Sequence, residues 1–146
     1  MHGKRPESVL VVVSTVDLDV LLLRRRHPAG LWQSVTGSLE WGESTGAAAR
    51  RELLEETGIV ADDCALADCR RRNRYPIAPA WRHRYASRVS HNTEHVWRIC
   101  LAERPVVSLN PAEHEAFEWL PRSAAIARAH FPTDRAAIAE FSGAGP

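Results

Sequence analysis

Glu52, Glu55 and Glu56 stand at i, i+3 and i+4 in a segment, Ser44 to Gly58, that reads as a helix. That spacing brings three carboxylates to one side of the helix, within about one turn of each other. Like charges so placed repel unless a cation joins them, and ligands offering only oxygen select a hard divalent ion, Mg²⁺ or Mn²⁺. Such an ion binds phosphate oxygens together with one or two carboxylates and can activate a bound water. The chemistry within reach is hydrolysis of a phosphoanhydride, which needs positioning and charge stabilisation and no covalent nucleophile. Glutamates on a helix more often form a solvated face, so the spacing alone does not decide between the two readings.

The helix carries its own start and stop signals. Ser44 suits an N-cap and Gly58 a C′ position, and Arg51 lies one turn before Glu55, where an ion pair can hold that carboxylate. At about 100° per residue, Gly46, Ala47, Leu53 and Leu54 share an arc expected to pack on a sheet. Thr45, Ala48 and Ala49 fall on the glutamate side and leave a low surface for a phosphate.

Strands are expected over Ser8 to Thr15, Val20 to Arg25 and Trp32 to Thr36 ahead of the helix. After it come Ala65 to Arg72, Arg82 to Val89, Glu94 to Leu101 and Phe117 to Leu120. Tyr75 to Pro79 reads as a loop, and helices are expected over Arg122 to Ala129 and from Pro132 to Phe141. Strands separated by helices of this length indicate an α/β fold with a mixed sheet. Trp32, Trp81, Trp97 and Trp119 are expected in core or strand packing. His83, His91, His95 and His114 show no metal-ligand spacing, and Arg70 to Arg72 with Arg74 reads as a solvated strand end.

The 146 residues suffice for one domain with a real core, residues 1–146, and a formal charge of +1 offers no broad field for nucleic acid. Cys64, Cys69 and Cys100 are an odd number without a C-x2-C pair, which argues against a disulfide framework and for a reducing cytoplasm with three plain buried thiols. The apolar run Val9 to Val13 is too short for a signal segment or a membrane span, so no membrane partner is expected.

The stretch from Gly37 to Ile59 resembles the box of the Nudix hydrolases, G-x5-E-x7-R-E-U-x-E-E-x-G-U with U aliphatic. Gly37, Glu43, Arg51, Glu52, Leu53, Glu55, Glu56, Gly58 and Ile59 fill every defined position. At ordinary residue frequencies a chance match has odds of about one in a billion per window. The resemblance implies an α/β/α sandwich with the box helix against a mixed β-sheet. It also implies ligation of Mg²⁺, with Mn²⁺ as the alternative, by Glu52, Glu55, Glu56 and the carbonyl of Gly37. Arg51 would orient these groups and Glu43 would be structural. Glu113 falls in the loop before the last strand, where the family often places a further metal ligand or a general base.

Trp32 to Ser38, Lys4-Arg5-Pro6, Arg82 to Ala86, Asn92-Thr93-Glu94 and Glu113-His114 followed by Trp119-Leu120 are similar to one bacterial subgroup of the family. Its members cleave dihydroneopterin triphosphate to the monophosphate and pyrophosphate in folate biosynthesis. That likeness implies that Lys4, Arg25 and Thr36 contact substrate and that Tyr75 lines the heterocycle site. Ser87-Arg88, Asp134 and Phe131 depart from the subgroup. Two other readings are carried: the same chemistry on a nucleoside or oxidised deoxynucleoside triphosphate, and a non-catalytic Nudix-like metabolite sensor. The partner expected is a small polyphosphate, and the protein a monomer or small homo-oligomer.

Overall fold

Eight consecutive buried side chains make β1 (Glu7–Thr15) the spine of the molecule. In the computed structural model, which describes residues 3–62 and 64–144, this strand pairs on both edges and is covered on both faces. That is why its apolar run is continuous rather than alternating. It pairs in parallel with β6 (His91–Leu101) along its whole length, Glu7 opposite Thr93 through Thr15 opposite Leu101. Its other edge is shared: β4 (Val35–Ser38) takes Ser8 to Val11, and β2 (Asp19–Arg25) joins through the turn at Ser14 and Val20. β3 (Trp32–Gln33) and β7 (His114–Pro121) both pair with β2, and β5 (Leu66–Pro76) completes the far edge against β6. The result is a mixed seven-stranded sheet.

The pleat of β1 divides the core in two. Val9, Val11 and Val13 point to one face and pack with Leu21, Leu23, Leu53, Ala48 and Ala49 under α1 (Thr45–Thr57). Leu10 and Val12 point to the other and pack with Leu22, Val96, Ala125 and Ile138 under α2 (Arg122–Arg128) and α3 (Pro132–Phe141). Each buried Val, Leu or Ile among them contributes roughly 1.5–3 kcal/mol by leaving water. Helices thus cover both faces, giving the expected α/β/α sandwich, and among the described residues no helix is long and apolar enough to cross a membrane.

The structure corrects three expectations. Arg82 to Val89 is no strand: Pro79–Arg84 forms a short 3₁₀ helix and the chain then turns back to β6. Pro79 supplies the φ of a first helical position, and Trp81 N–H donates to the Ala78 carbonyl. Tyr75 accordingly lies within β5, opposite Asn92, and the loop begins after Pro76, the last residue of that strand. Second, none of the three free thiols is buried; Cys64 is exposed, and Cys69 and Cys100 are half-buried. Third, α1 turns a different face to the sheet. Leu54 is 48% exposed and Ala47 is exposed, while Ala48, Ala49, Glu52, Leu53 and Glu56 are buried. Gly46 does pack inward, on Trp97. Reading apolar side chains as the inner face fails here because two of the inward side chains are carboxylates.

Candidate active site

α1 begins and ends on the residues that suit those ends. Ser44 Oγ accepts from Ala47 N–H at 3.1 Å, and Gly58 adopts φ +76° while its N–H bonds the Leu54 carbonyl at 2.8 Å. With its ends set, the helix lays Glu52 and Glu56, one turn apart, toward the sheet edge where β4 passes. Glu55 is rotated about 60° from Glu52 and away from Glu56, which places it on the outer flank. Its side chain is 53% exposed.

Gly37 on β4 lies directly beneath Glu52, and a Cβ there would collide with that carboxylate. We expect Gly37→Ala to keep the fold, since this glycine has no positive φ, and to lower kcat by about 100-fold through displacement of Glu52. Steady-state rates beside a thermal melt check this; an unchanged rate would remove Gly37 from the site.

Arg51 organises the acidic side chains. Its guanidinium donates to both oxygens of Glu43 at 2.8 and 2.9 Å, to Glu52 at 2.8 Å, to Glu55 at 3.3 Å and to the Ser38 carbonyl at 3.0 Å. Glu43 is held below the usual carboxylate range, first by the hydrogen bonds from Arg51. Glu52 is pushed up, chiefly by burial, against the pull of Arg51.

Glu56 is the most exceptional group. It is 1% exposed, and among the described residues neither carboxylate oxygen has a hydrogen-bond partner. Burial, then the neighbouring carboxylates Glu52 and Glu113, push its pKa well above the ordinary value. A buried carboxyl left unsatisfied is costly unless a ligand completes it.

Glu113, in the turn before β7, and His114, the first residue of β7, come to Glu56. One ligand atom from each of the three lies within 4.8 Å of the others, with His114 Nε2 at 3.5 Å from Glu56 Oε1. His114 is pulled down to about 4, first by burial and then by Arg25, so it is neutral at pH 7. Orphaned buried oxygens on Glu56, the carboxylates of Glu52 and Glu113 acting on it, and the clearance left by Gly37 fit a divalent cation, with His114 Nε2 the one nitrogen gathered beside them.

A cleft of about 1060 Å³ opens beside these groups. Lys4, Arg25 and Arg84 stand along it. Lys4 lies below an ordinary lysine, first by burial and then through Arg84 and Arg25, so positive charge is crowded there. Arg25 reaches the Gln33 amide oxygen at 3.4 Å and lies over Trp81 at 5.8 Å; Arg24 instead pairs with Glu115, and Arg26 bonds the Pro111 carbonyl. Thr36 is in the cleft with its hydroxyl donating to the Val9 carbonyl at 2.8 Å. Tyr75 lines it too, its hydroxyl accepting from Asn92 Nδ2 at 3.0 Å.

Lys4, Arg25, Thr36, Gly37, Arg51, Glu52, Tyr75 and Glu113 therefore meet in one cleft, with Glu56 behind it and Glu55 outside. Sequence reasoning missed His114, Ser34, Glu94 and the lining role of Trp81. Trp81 is 36% exposed on the 3₁₀ helix rather than in the core. The pairing of β6 and β7 brings in Glu94 and His114, Ser34 enters between β3 and β4 and Trp81 from the 3₁₀ helix, and no local spacing reports any of them.

The family model for the NUDIX domain matches residues 4–141. The dihydroneopterin triphosphate diphosphatase of Escherichia coli (strain K12) is 45% identical over 94% of this chain and 93% of its own length. The enzyme of that name from Haemophilus influenzae is 36% identical over 97% of this chain and 90% of its own. The solved structure of the E. coli dihydroneopterin triphosphate pyrophosphohydrolase superposes with a TM-score of 0.86 at 40% identity, covering 97% of each chain.

Proposed function

The chain belongs to the NUDIX family and is a hydrolase of phosphoric anhydrides, and from that premise we propose that it cleaves dihydroneopterin triphosphate with water to the monophosphate and pyrophosphate. The observation that carries the substrate is the near full-length likeness to two bacterial enzymes of that name.

NUDIX hydrolases depend on a divalent metal, and the ion proposed here is Mg²⁺, with Mn²⁺ able to replace it. Glu52, Glu56, Glu113 and the Gly37 carbonyl would hold it, with Glu55 on the solvent side. When bound, it neutralises the phosphate oxygens and lowers the pKa of a coordinated water. Arg51 keeps Glu52 and Glu55 in place through its fork of hydrogen bonds. Lys4, Arg25 and Arg84 supply the cationic wall that a triphosphate requires, and Thr36 stands beside them. Glu113, exposed at the rim and close to Glu56, would serve either as a further ligand of the ion or as the base that accepts a proton from the attacking water. Tyr75 and Trp81 give the heterocycle an aromatic boundary.

The test is pyrophosphate release with Mg²⁺ from dihydroneopterin triphosphate and, in parallel, from the common nucleoside triphosphates and an oxidised deoxynucleotide. The highest kcat/KM is expected for the pterin. A nucleotide preferred by tenfold or more would reject the substrate and keep the chemistry; no turnover of any compound would reject the catalytic reading in favour of a sensor.

A further inference from the structure

The cleft continues past the phosphate end onto the α3 face of the sheet, where its lining includes Ser8, Ser34, Asn92, Glu94, Thr133 and Asp134. Ser8, Ser34, Asn92, Glu94 and Asp134 are buried polar residues. Two of them are carboxylates, and they differ in what they have left to offer. Asp134 is spent: its oxygens accept from Ser34 N–H at 2.7 Å and Ser34 Oγ at 2.6 Å, tying the start of α3 to the junction of β3 and β4. Glu94 is 5% exposed and is steadied from its own side by Asn73 Nδ2, at a long 3.3 Å, and by the Thr133 hydroxyl. No cation is among the groups that act on it, and burial is the main influence raising its pKa. Neighbouring Asn92 is turned away to Ser8 Oγ and the Tyr75 hydroxyl.

We propose that Glu94 is the specificity-determining residue for the heterocycle, its carboxylate accepting a pair of hydrogen bonds from the ring N–H and the exocyclic amine of a 2-aminopyrimidin-4-one. This rests on the reading that a pterin triphosphate occupies the cleft, and it names which edge of the ring is read. That edge presents two parallel donors, and a carboxylate is the side chain that presents two parallel acceptors. Adenine, cytosine and hypoxanthine do not carry that donor pair.

The spacing agrees. Ser8 of β1 is in register with Ser38 of β4 on one side and with Glu94 of β6 on the other. Two strand spacings, about 10 Å, therefore separate Glu94 from the Gly37–Ser38 end of the phosphate site. A bicyclic ring with a short side chain spans that distance.

The experiment uses the edge that guanine shares with the pterin. GTP and ITP differ only in the exocyclic amine, so their kcat/KM ratio isolates one of the two contacts; where turnover is too slow, their inhibition constants against the pterin substrate give the same ratio. The wild-type protein is expected to favour GTP over ITP by roughly 10-fold or more, the range of one hydrogen bond to a charged acceptor. Glu94→Gln can keep its amide oxygen on the ring N–H, which turns its NH2 donor against the exocyclic amine. It should lower kcat/KM for dihydroneopterin triphosphate by about 30-fold or more and bring the GTP/ITP ratio near one, with ITP changed by less than about threefold. Because the ratio is internal, it does not depend on how much of the variant is folded. A wild-type ratio near one, or a ratio unchanged in Glu94→Gln, overturns the proposal. If the wild type instead prefers a nucleotide to the pterin, the proposed substrate fails while the GTP/ITP ratio still decides Glu94.

Discussion

Glu56→Gln should lower kcat by at least 1000-fold with Mg²⁺ present while the metal-free protein melts at the same temperature as wild type or higher. The two effects have one origin. Glu56 is enclosed with both oxygens lacking hydrogen-bond partners among the described residues, next to Glu52 and Glu113. Without a cation its ionised form is a liability, so a neutral amide of equal size removes a cost rather than an interaction. With a cation it becomes the innermost ligand, and an amide is a far weaker one. Rates at saturating Mg²⁺ and melting curves in a chelator are the measurements. A rate within tenfold of wild type would take Glu56 out of the chemistry; a strongly destabilised metal-free variant would make it a structural group.

Arg51→Ala should combine a loss of stability on the order of 3 kcal/mol, the usual cost of stranding one side of a largely buried ion pair, with a fall in kcat of about 100-fold as Glu52 loses its anchor. Arg51 is a positioning residue: it touches Glu43, Glu52, Glu55 and the Ser38 carbonyl and no reacting atom. Acid sensitivity separates this role from simple packing. Glu43 is depressed below its unfolded value, first because Arg51 donates to it. Its contribution is therefore present above the unfolded carboxylate pKa, about 4.3, and lost as pH falls through the lower folded value. The gap in melting temperature between wild type and Arg51→Ala should be widest near neutrality and narrow below that range. A gap constant with pH would mean that the Arg51–Glu43 pair adds nothing. Arg51→Lys should restore part of the stability and little of the rate, since an ammonium cannot reproduce the fork.

What the sequence made legible was local. Ser44, Gly58 and Pro132 set helix ends through their own backbone and capping preferences, and each does so in the structure. The Gly37–Ile59 pattern was readable because its members act within one turn–helix unit, where spacing maps directly onto geometry.

The failures share a cause. Arg82 to Val89 has the composition of a strand, but the wide connection between β5 and β6 overrides it and turns Trp81 and Arg84 into the cleft. The inward face of α1 was misassigned because polarity is a poor guide where carboxylates are buried for use, as Glu52 and Glu56 are. His114 and Glu94 reach the cleft through strand pairing across distant parts of the chain, and the parallel match of β1 to β6 has no signature in either strand alone.

The central claim is that Glu52, Glu56 and Glu113 gather around a cation that joins them to a polyphosphate. Anomalous diffraction from crystals soaked in Mn²⁺ and a non-hydrolysable substrate analogue tests it most directly. The account predicts a manganese peak bonded to Glu56 and Glu52, beside Gly37, with phosphate oxygens completing its shell. A peak elsewhere, or none while the analogue occupies the cleft, would contradict it.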